Sequence, residues 1–375
     1  MRKPKISFLI PRLGITDRGA EILVYELARR LSKDFEIVIW VRKSKSKPAL
    51  LEELVKCGIT IKKITCIPEK HWLAHLLYVF PPLRNIFDKF HVGPTELEML
   101  SFSIMSIPEL LKVNFDILFP VNGVWGAVVC RLIRVFRRTP FVYTSVGGIE
   151  PLIARQKPDM YFTINPGIKR WLNTHFPKLR VEFISTGVDL KKFSMLGNKA
   201  SVNLPRPVFL TVSALIKDKR VDLTIKALAL LKRGSLLIVG EGPFKSELML
   251  LAEKYLGKDR FLFQSVRYNR LPEFYRAADV FAFSAPKEVG WGMVHLEALA
   301  SGLPVVANRE ENLEFLMGKK TLLCDVENIK EYSWFLEKAV KENRGLYWRD
   351  KVKNYSWEKV AKRYKDLLLE VLSKY

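Results

Sequence analysis

Short apolar runs alternate with longer stretches of helical period along most of the chain. Ile6 to Ile10 is an apolar strand, and behind Asp17-Arg18-Gly19-Ala20-Glu21 the residues Ile22, Leu23, Leu27 and Leu31 recur at helical spacing before a second strand, Glu36 to Val41. Asp116 to Pro120 predicts a strand, Trp125 to Phe136 a helix with Arg131, Arg134 and Arg138 along one side, and Pro140 to Thr144 the next strand. Strand, helix, strand at this spacing predicts a parallel sheet. Gly197 to Pro207 is polar and carries proline, which predicts a linker. The alternation then resumes. Val208 to Ser213, Leu236 to Val239 and Phe261 to Phe263 are strands, with helices opening near Val221 and at Lys245. From Phe281 to Asn308 the pattern is half of a β-α-β unit: a short strand, a loop carrying Glu288, a helix opening near Gly292, and a second strand at Val305 to Ala307.

Residues 42 to 112 break the rhythm. Arg42, Lys43, Lys45 and Lys47 form a basic loop, then Trp72, Leu73, Leu76, Leu77 and Phe80 share a helical face ahead of Pro81-Pro82 and a second apolar patch, Leu83, Ile86, Phe87 and Phe90. Such a stripe is most often core. Beside basic residues, an aromatic amphipathic segment also suits the surface of an anionic bilayer. His71 and His75 stand four apart, as helix-borne metal ligands do, but bring no third ligand with them.

Composition adds bounds. A chain of 375 residues favours two domains. Four scattered cysteines, Cys57, Cys66, Cys130 and Cys324, form no C-x-x-C pair or metal spacing, which fits a reducing, cytoplasmic setting and no metal. Pro11-Arg12 interrupts the basic, apolar start too soon for a signal sequence. No apolar run reaches the roughly 18 residues of a membrane span. Net charge is +23, shared by both halves of the chain, so anionic partners are favoured: nucleic acid, lipid headgroups or a nucleotide diphosphate.

The chemistry concentrates after Phe281. A helix that starts behind Gly290-Trp291-Gly292 aims unhindered N–H groups and its positive end at an anion. Glu297, a turn further on, is a carboxylate placed to accept hydrogen bonds from hydroxyls. Diphosphate plus sugar hydroxyls describes a nucleotide sugar.

Glu297-Ala298-Leu299-Ala300-Ser301-Gly302-Leu303-Pro304-Val305-Val306 resembles the donor-site signature of family 4 glycosyltransferases, retaining enzymes of GT-B fold. Other stretches follow in the family's order. They are Gly19-Ala20-Glu21, the run from Phe183 through Gly187-Val188-Asp189 to Phe193, Lys219, Gly240-Glu241-Gly242-Pro243, Ser265-Val266-Arg267, Leu271 to Val280, and Tyr355-Ser356-Trp357-Glu358. The chain departs from the family at several points, Arg18 in place of the first glycine of a G-G-A-E element among them. Val289 occupies the position of the first signature glutamate, with Glu288 one residue earlier; Gly147 stands where a histidine is usual; Ala214 replaces an arginine; Arg220 replaces a glycine.

The resemblance implies a GT-B architecture: two Rossmann-like domains, an acceptor-side domain over 1–196 and a donor domain over 197–354, with a helix at 355–375 crossing back to the first. It implies Lys219, Glu288 and Glu297 as catalytic residues, and Gly19, Gly240, Glu241, Val266, Gly292, Met293, Val294 and Arg220 as donor contacts. The implied reaction moves a hexose from a UDP- or GDP-sugar to a hydroxyl of a glycan or lipid-linked acceptor, with retention and without metal or cofactor. A cytoplasmic place on the inner membrane face fits, and nucleic acid is not an expected partner. Two other readings stay open: another enzyme of this architecture, such as a sugar-nucleotide epimerase, or a basic nucleic-acid- or lipid-binding protein with a decayed donor site.

Overall fold

A computed structural model of the chain describes residues 2–16, 18–44, 48–69, 71–72, 94–121, 123–148, 150–285, 292–318, 322–342 and 345–375. It divides into two compact units, 1–185 with 360–375, and 186–359.

The first unit runs β1 (Lys5–Leu9), α1 (Gly19–Leu31), β2 (Glu36–Arg42), α2 (Ala49–Lys56), β3 (Thr60–Ile64), α3 (Pro94–Lys112), β4 (Ile117–Pro120), α4 (Val124–Arg137), β5 (Val142–Ser145), α5 (Pro151–Ala154), β6 (Met160–Thr163), α6 (Pro166–His175) and β7 (Val181–Phe183). The strands are parallel, in the orders β3-β2-β1-β4 and β5-β6-β7, and single bridges Leu118 to Phe141 and Val121 to Thr144 link the two groups. Strands β4, β5 and β6 are buried along their whole length, including the polar Thr144, Ser145 and Thr163 at the carboxyl ends of β5 and β6. Arg42, a member of the basic loop in sequence, pairs with the buried Glu98 of α3 at 3.5 Å, and Arg12 reaches the same carboxylate at 3.0 Å. Much of the stripe from Leu73 to Phe90, with His75, lies outside the described residues.

The second unit follows with β8 (Val208–Val212), a 3-10 turn at Lys217–Lys219, α7 (Val221–Ala229), β9 (Ser235–Val239), α8 (Lys245–Leu256), β10 (Phe261–Gln264), α9 (Leu271–Ala277), β11 (Val280–Ala282), α10 (Met293–Ala300), β12 (Val305–Asn308), α11 (Glu311–Met317), β13 (Leu323–Cys324), α12 (Ile329–Lys341) and α13 (Gly345–Lys351). All its strands pair in parallel, in the order β10-β9-β8-β11-β12-β13. In order of appearance that is 3-2-1-4-5-6, the doubly wound arrangement.

Residues 186–196, ahead of the polar stretch taken as linker, group with the second unit. Backbone carbonyls hold them there. Arg349 donates to Phe193 O at 2.9 Å and Leu190 O at 2.6 Å, and Arg276 donates to Lys192 O at 3.3 Å. The last helix, α14 (Trp357–Leu372), begins in the second unit, where the Trp357 ring covers Gly187 so closely that a Cβ there would sit 2.5 Å from it. From Val360 it groups with the first unit, where Tyr364 is buried against Phe162 at 4.7 Å and its hydroxyl lies 3.2 Å from that of Thr144.

Candidate donor site on the second sheet

In a doubly wound sheet the crevice forms at the carboxyl ends of the strands where the winding reverses, here between β8 and β11. Lys219 follows β8, Gly240 and Glu241 follow β9, Val266 follows β10, and Gly292, Met293, Val294 and Glu297 follow β11. All these residues therefore come off one edge of one sheet, and two of the segments flank its switch point.

Those two segments are tied together. Ser284, buried just after β11, donates through Oγ to Arg220 O at 2.6 Å and lies 3.4 Å from Lys219 O, while Thr211 of β8 donates to Ala282 O at 2.7 Å. The Lys219 ammonium stands 5.5 Å from the centre of the Phe283 ring. Its position after β8 is thus referenced to the end of β11, where the helix α10 begins ten residues on.

Glu297 is only 3 % exposed, an unusual place for a carboxylate, and Tyr275 of α9 donates its hydroxyl to it at 2.9 Å. The same oxygen lies 3.3 Å from Val294 O. Burial, and then the Glu297 charge, hold the Tyr275 hydroxyl well above the ordinary phenol range, so it remains a donor. Its ring is fixed between Phe193 at 5.7 Å and Phe281 at 5.8 Å. His295, fully buried, meets Phe283 edge-on at 4.7 Å and Phe281 at 6.0 Å. Tyr275, His295 and Ser284 were not singled out from sequence. Each contacts residues far along the chain, and only the glutamate three residues before the signature's Ala300 carried a local signal.

Gly240 and Gly242 have a structural task. Leu215 N donates to Glu241 O and Phe244 N to Leu215 O, each at 3.0 Å, so the two loops run backbone against backbone. A Cβ on Gly240 would fall 1.9 Å from Ser213 O, and one on Gly242 2.3 Å from Leu215 O. Glycine is the residue that fits both. Glu241 is exposed, and its carboxylate, hydrogen-bonded by Lys245 at 2.9 Å, sits below the usual range.

Arg220 sits at φ 45°, in the left-handed region, as the turn passes into α7. That conformation accounts for a glycine at this point in the resembling family. Its guanidinium, expected at a diphosphate, is paired with Asp222 at 3.0 Å and Glu327 at 3.4 Å. Burial pushes the Asp222 carboxyl up, but Arg220 and Lys226 outweigh it and hold the group below the ordinary value.

Gly19 lies on the other unit, exposed at the head of α1 after β1. Glu21, two residues on, is 5 % exposed and one of its carboxylate oxygens has no hydrogen-bond partner among the described residues; burial pushes the carboxyl up. Gly147 stands two residues after β5, with no described atom within 4 Å of the place where a side chain would begin. Glu288, with Gly290 and Trp291, lies outside the described residues. Burial raises the thiols of Cys66 to about 11 and Cys324 to about 12, which leaves neither as a nucleophile at neutral pH.

Residues 197–359 match the family model of glycosyl transferases group 1. Over 227 residues the chain is 27 % identical to the GDP-mannose-dependent alpha-(1-6)-phosphatidylinositol monomannoside mannosyltransferase of Mycolicibacterium smegmatis, a match that covers 53 % of this chain and 59 % of the relative. It is 26 % identical over 254 residues to spore coat protein SA of Bacillus subtilis, covering 59 % of this chain and 67 % of that protein. Among solved structures, sucrose-phosphate synthase from Thermosynechococcus elongatus superposes over 100 % of both chains with a TM-score of 0.76 at 18 % identity. Anabaena HepE in complex with UDP-glucose gives 0.71 at 16 % identity, covering 99 % of this chain and 100 % of its own. The fold of these structures is the GT-B fold, and the matched stretch falls on the sheet that carries Lys219 and Glu297. On these grounds residues 197–359 form a glycosyl transferases group 1 domain within a chain of GT-B fold.

Proposed function

We propose that the chain transfers a hexose from a nucleotide-diphosphate sugar to a hydroxyl of a glycan or lipid-linked acceptor, with retention of configuration. The observation that carries this reading is the placement of Lys219 after β8 and of the head of α10 after β11, on the two sides of the switch point, with the buried Glu297 one turn into that helix.

In this reading the diphosphate lies against the Lys219 ammonium and the first amides of α10. A cation and a helix head in a cleft that excludes water stabilise the charge that develops as the diphosphate departs. Glu297, oriented by Tyr275, accepts hydrogen bonds from hydroxyls of the donor, its ribose in the first place. The leaving phosphate helps take the proton of the attacking hydroxyl on the same face, which preserves the anomeric configuration. Arg220 supports the turn through Asp222 and Glu327 rather than meeting the phosphates itself.

The donor's base follows two leads. The mycolicibacterial relative is named for GDP-mannose, and the HepE structure holds UDP-glucose. The lipid-linked acceptor is favoured by relatives named for phosphatidylinositol and diacylglycerol products. The test is turnover of labelled UDP-glucose and GDP-mannose with a panel of acceptors, on the wild type and on Lys219→Ala and Glu297→Ala. Folded variants with full turnover would refute the assignment.

A further inference from the structure

Helix α4 (Val124–Arg137) buries one face, Ala127, Val129, Cys130 and Ile133, and packs against α3. Its opposite face is apolar as well. Leu132, Val135 and Phe136, at the i, i+3, i+4 spacing of one helical stripe, are 49 %, 72 % and 77 % exposed, and Trp125 and Val128 extend the stripe toward the helix start, half-buried. A surface helix ordinarily turns charged or polar residues outward, so this one presents an apolar stripe that no described residue covers.

The charge around it has one sign. Between Val121 and Gly148 there are four arginines, Arg131, Arg134, Arg137 and Arg138, and no aspartate or glutamate. Arg131 donates to Arg155 O at 2.8 Å and Arg134 to Lys157 O at 2.9 Å, which brings α5 and the turn after it alongside. That neighbour adds Leu152, 56 % exposed, and the exposed side chains of Arg155 and Lys157. The acidic residue beside them, Asp159, is paired with Arg134 at 3.1 Å.

We propose that the exposed face of α4, with Leu152, Arg155 and Lys157, docks on the surface of an anionic lipid bilayer. Leu132, Val135 and Phe136 enter the boundary between headgroups and acyl chains, and Arg138, Arg155 and Lys157 meet the phosphates. A bilayer interface takes both kinds of side chain at once. A nucleic-acid backbone answers the arginines but offers nothing to an apolar stripe at the centre of the patch. This goes beyond the donor reading and does not depend on it, since none of these residues belongs to the donor site.

The test uses the full chain and vesicles of phosphatidylcholine with phosphatidylglycerol, beside vesicles of phosphatidylcholine alone. The wild type is expected to sediment with the anionic vesicles in low salt and to be released by high salt. Val135→Ser with Phe136→Ser, both exposed and therefore tolerated by the fold, lowers binding by about tenfold or more through lost acyl contact. Arg138→Gln with Arg155→Gln weakens binding to the anionic vesicles alone. Leu132→Ser serves as a second apolar variant if the double variant melts early. Turnover of the sugar nucleotide with a soluble acceptor stays at the wild-type level in all of them, so a failure here is distinguishable from a failure of the donor site. The proposal is overturned if the wild type does not bind anionic vesicles, if the apolar variants bind as the wild type does, or if the wild type elutes as a dimer that these variants convert to a monomer, which would make the occupant a second copy of the chain.

Discussion

Tyr275→Phe removes one hydroxyl and keeps the ring that packs between Phe193 and Phe281. What is lost is the 2.9 Å hydrogen bond to a carboxylate that is almost completely buried. A hydrogen bond to a charged group contributes about 1.5–3 kcal/mol, and a buried acceptor deprived of its donor keeps its desolvation cost. For a domain of this size 1 kcal/mol moves the melting midpoint by about 2–4 °C, so the variant is expected to melt about 3–12 °C lower. If Glu297 orients the donor, its loosened rotamer also raises the donor KM by about tenfold, equal to about 1.4 kcal/mol of lost binding. Melting curves on the free protein and initial rates against donor concentration measure the two effects separately. A variant with an unchanged midpoint and an unchanged donor KM would refute the positioning of Glu297 by Tyr275. A lower midpoint with an unchanged KM would leave the hydroxyl a purely structural part.

Other substitutions probe different links. Gly242→Ala places a Cβ 2.3 Å from Leu215 O, a backbone atom that has no rotamer to move to, so stability is expected to fall by about 1–3 kcal/mol in chemical denaturation, and the loop after β8 shifts with it. Gly187→Ala meets the Trp357 ring at 2.5 Å and should loosen the start of α14, seen as faster amide exchange over 355–359. Burial raises the Glu150 carboxyl above its ordinary 4.5, with the Tyr143 hydrogen bond pulling the other way. The folded state therefore binds more protons than the unfolded one above pH 4.5, and stability falls as pH rises from there through the folded value. Glu150→Gln, which keeps an acceptor for the Tyr143 hydroxyl, should remove that slope from melting temperatures recorded across the range; an unchanged slope would assign it elsewhere.

Much of the fold was legible because each unit repeats one pattern, a short apolar strand and a helix of 3.6 period, and because buried parallel strands such as β4 and β8 leave apolar or nearly apolar runs. The grouping of 186–196 was not legible. What holds it is a set of bonds from Arg276 and Arg349 to backbone carbonyls, and carbonyls carry no side-chain signal. The site divides the same way. Lys219, Gly240 and Gly242 stand in turns that follow strands, where a β-α repeat announces a loop, and Glu297 stands one turn into the helix after β11, in the run of residues that resembles the family's signature. Tyr275 shows itself only when α9 packs beside α10, and the pairing of Arg220 with Glu327, 107 residues away, leaves no local trace in the sequence. The departure at Arg220 did carry structural information: a residue at φ 45° replaces the family's glycine and is held there by its ion pairs.

The most direct test is a structure of the chain soaked with UDP-glucose or GDP-mannose. The diphosphate is expected between the turn after β8 and the head of α10, within hydrogen-bond reach of the Lys219 ammonium, with the ribose hydroxyls on Glu297. A nucleotide seated away from the carboxyl edge of β8 and β11, with Lys219 and Glu297 untouched, would contradict the assignment of this edge as the donor site.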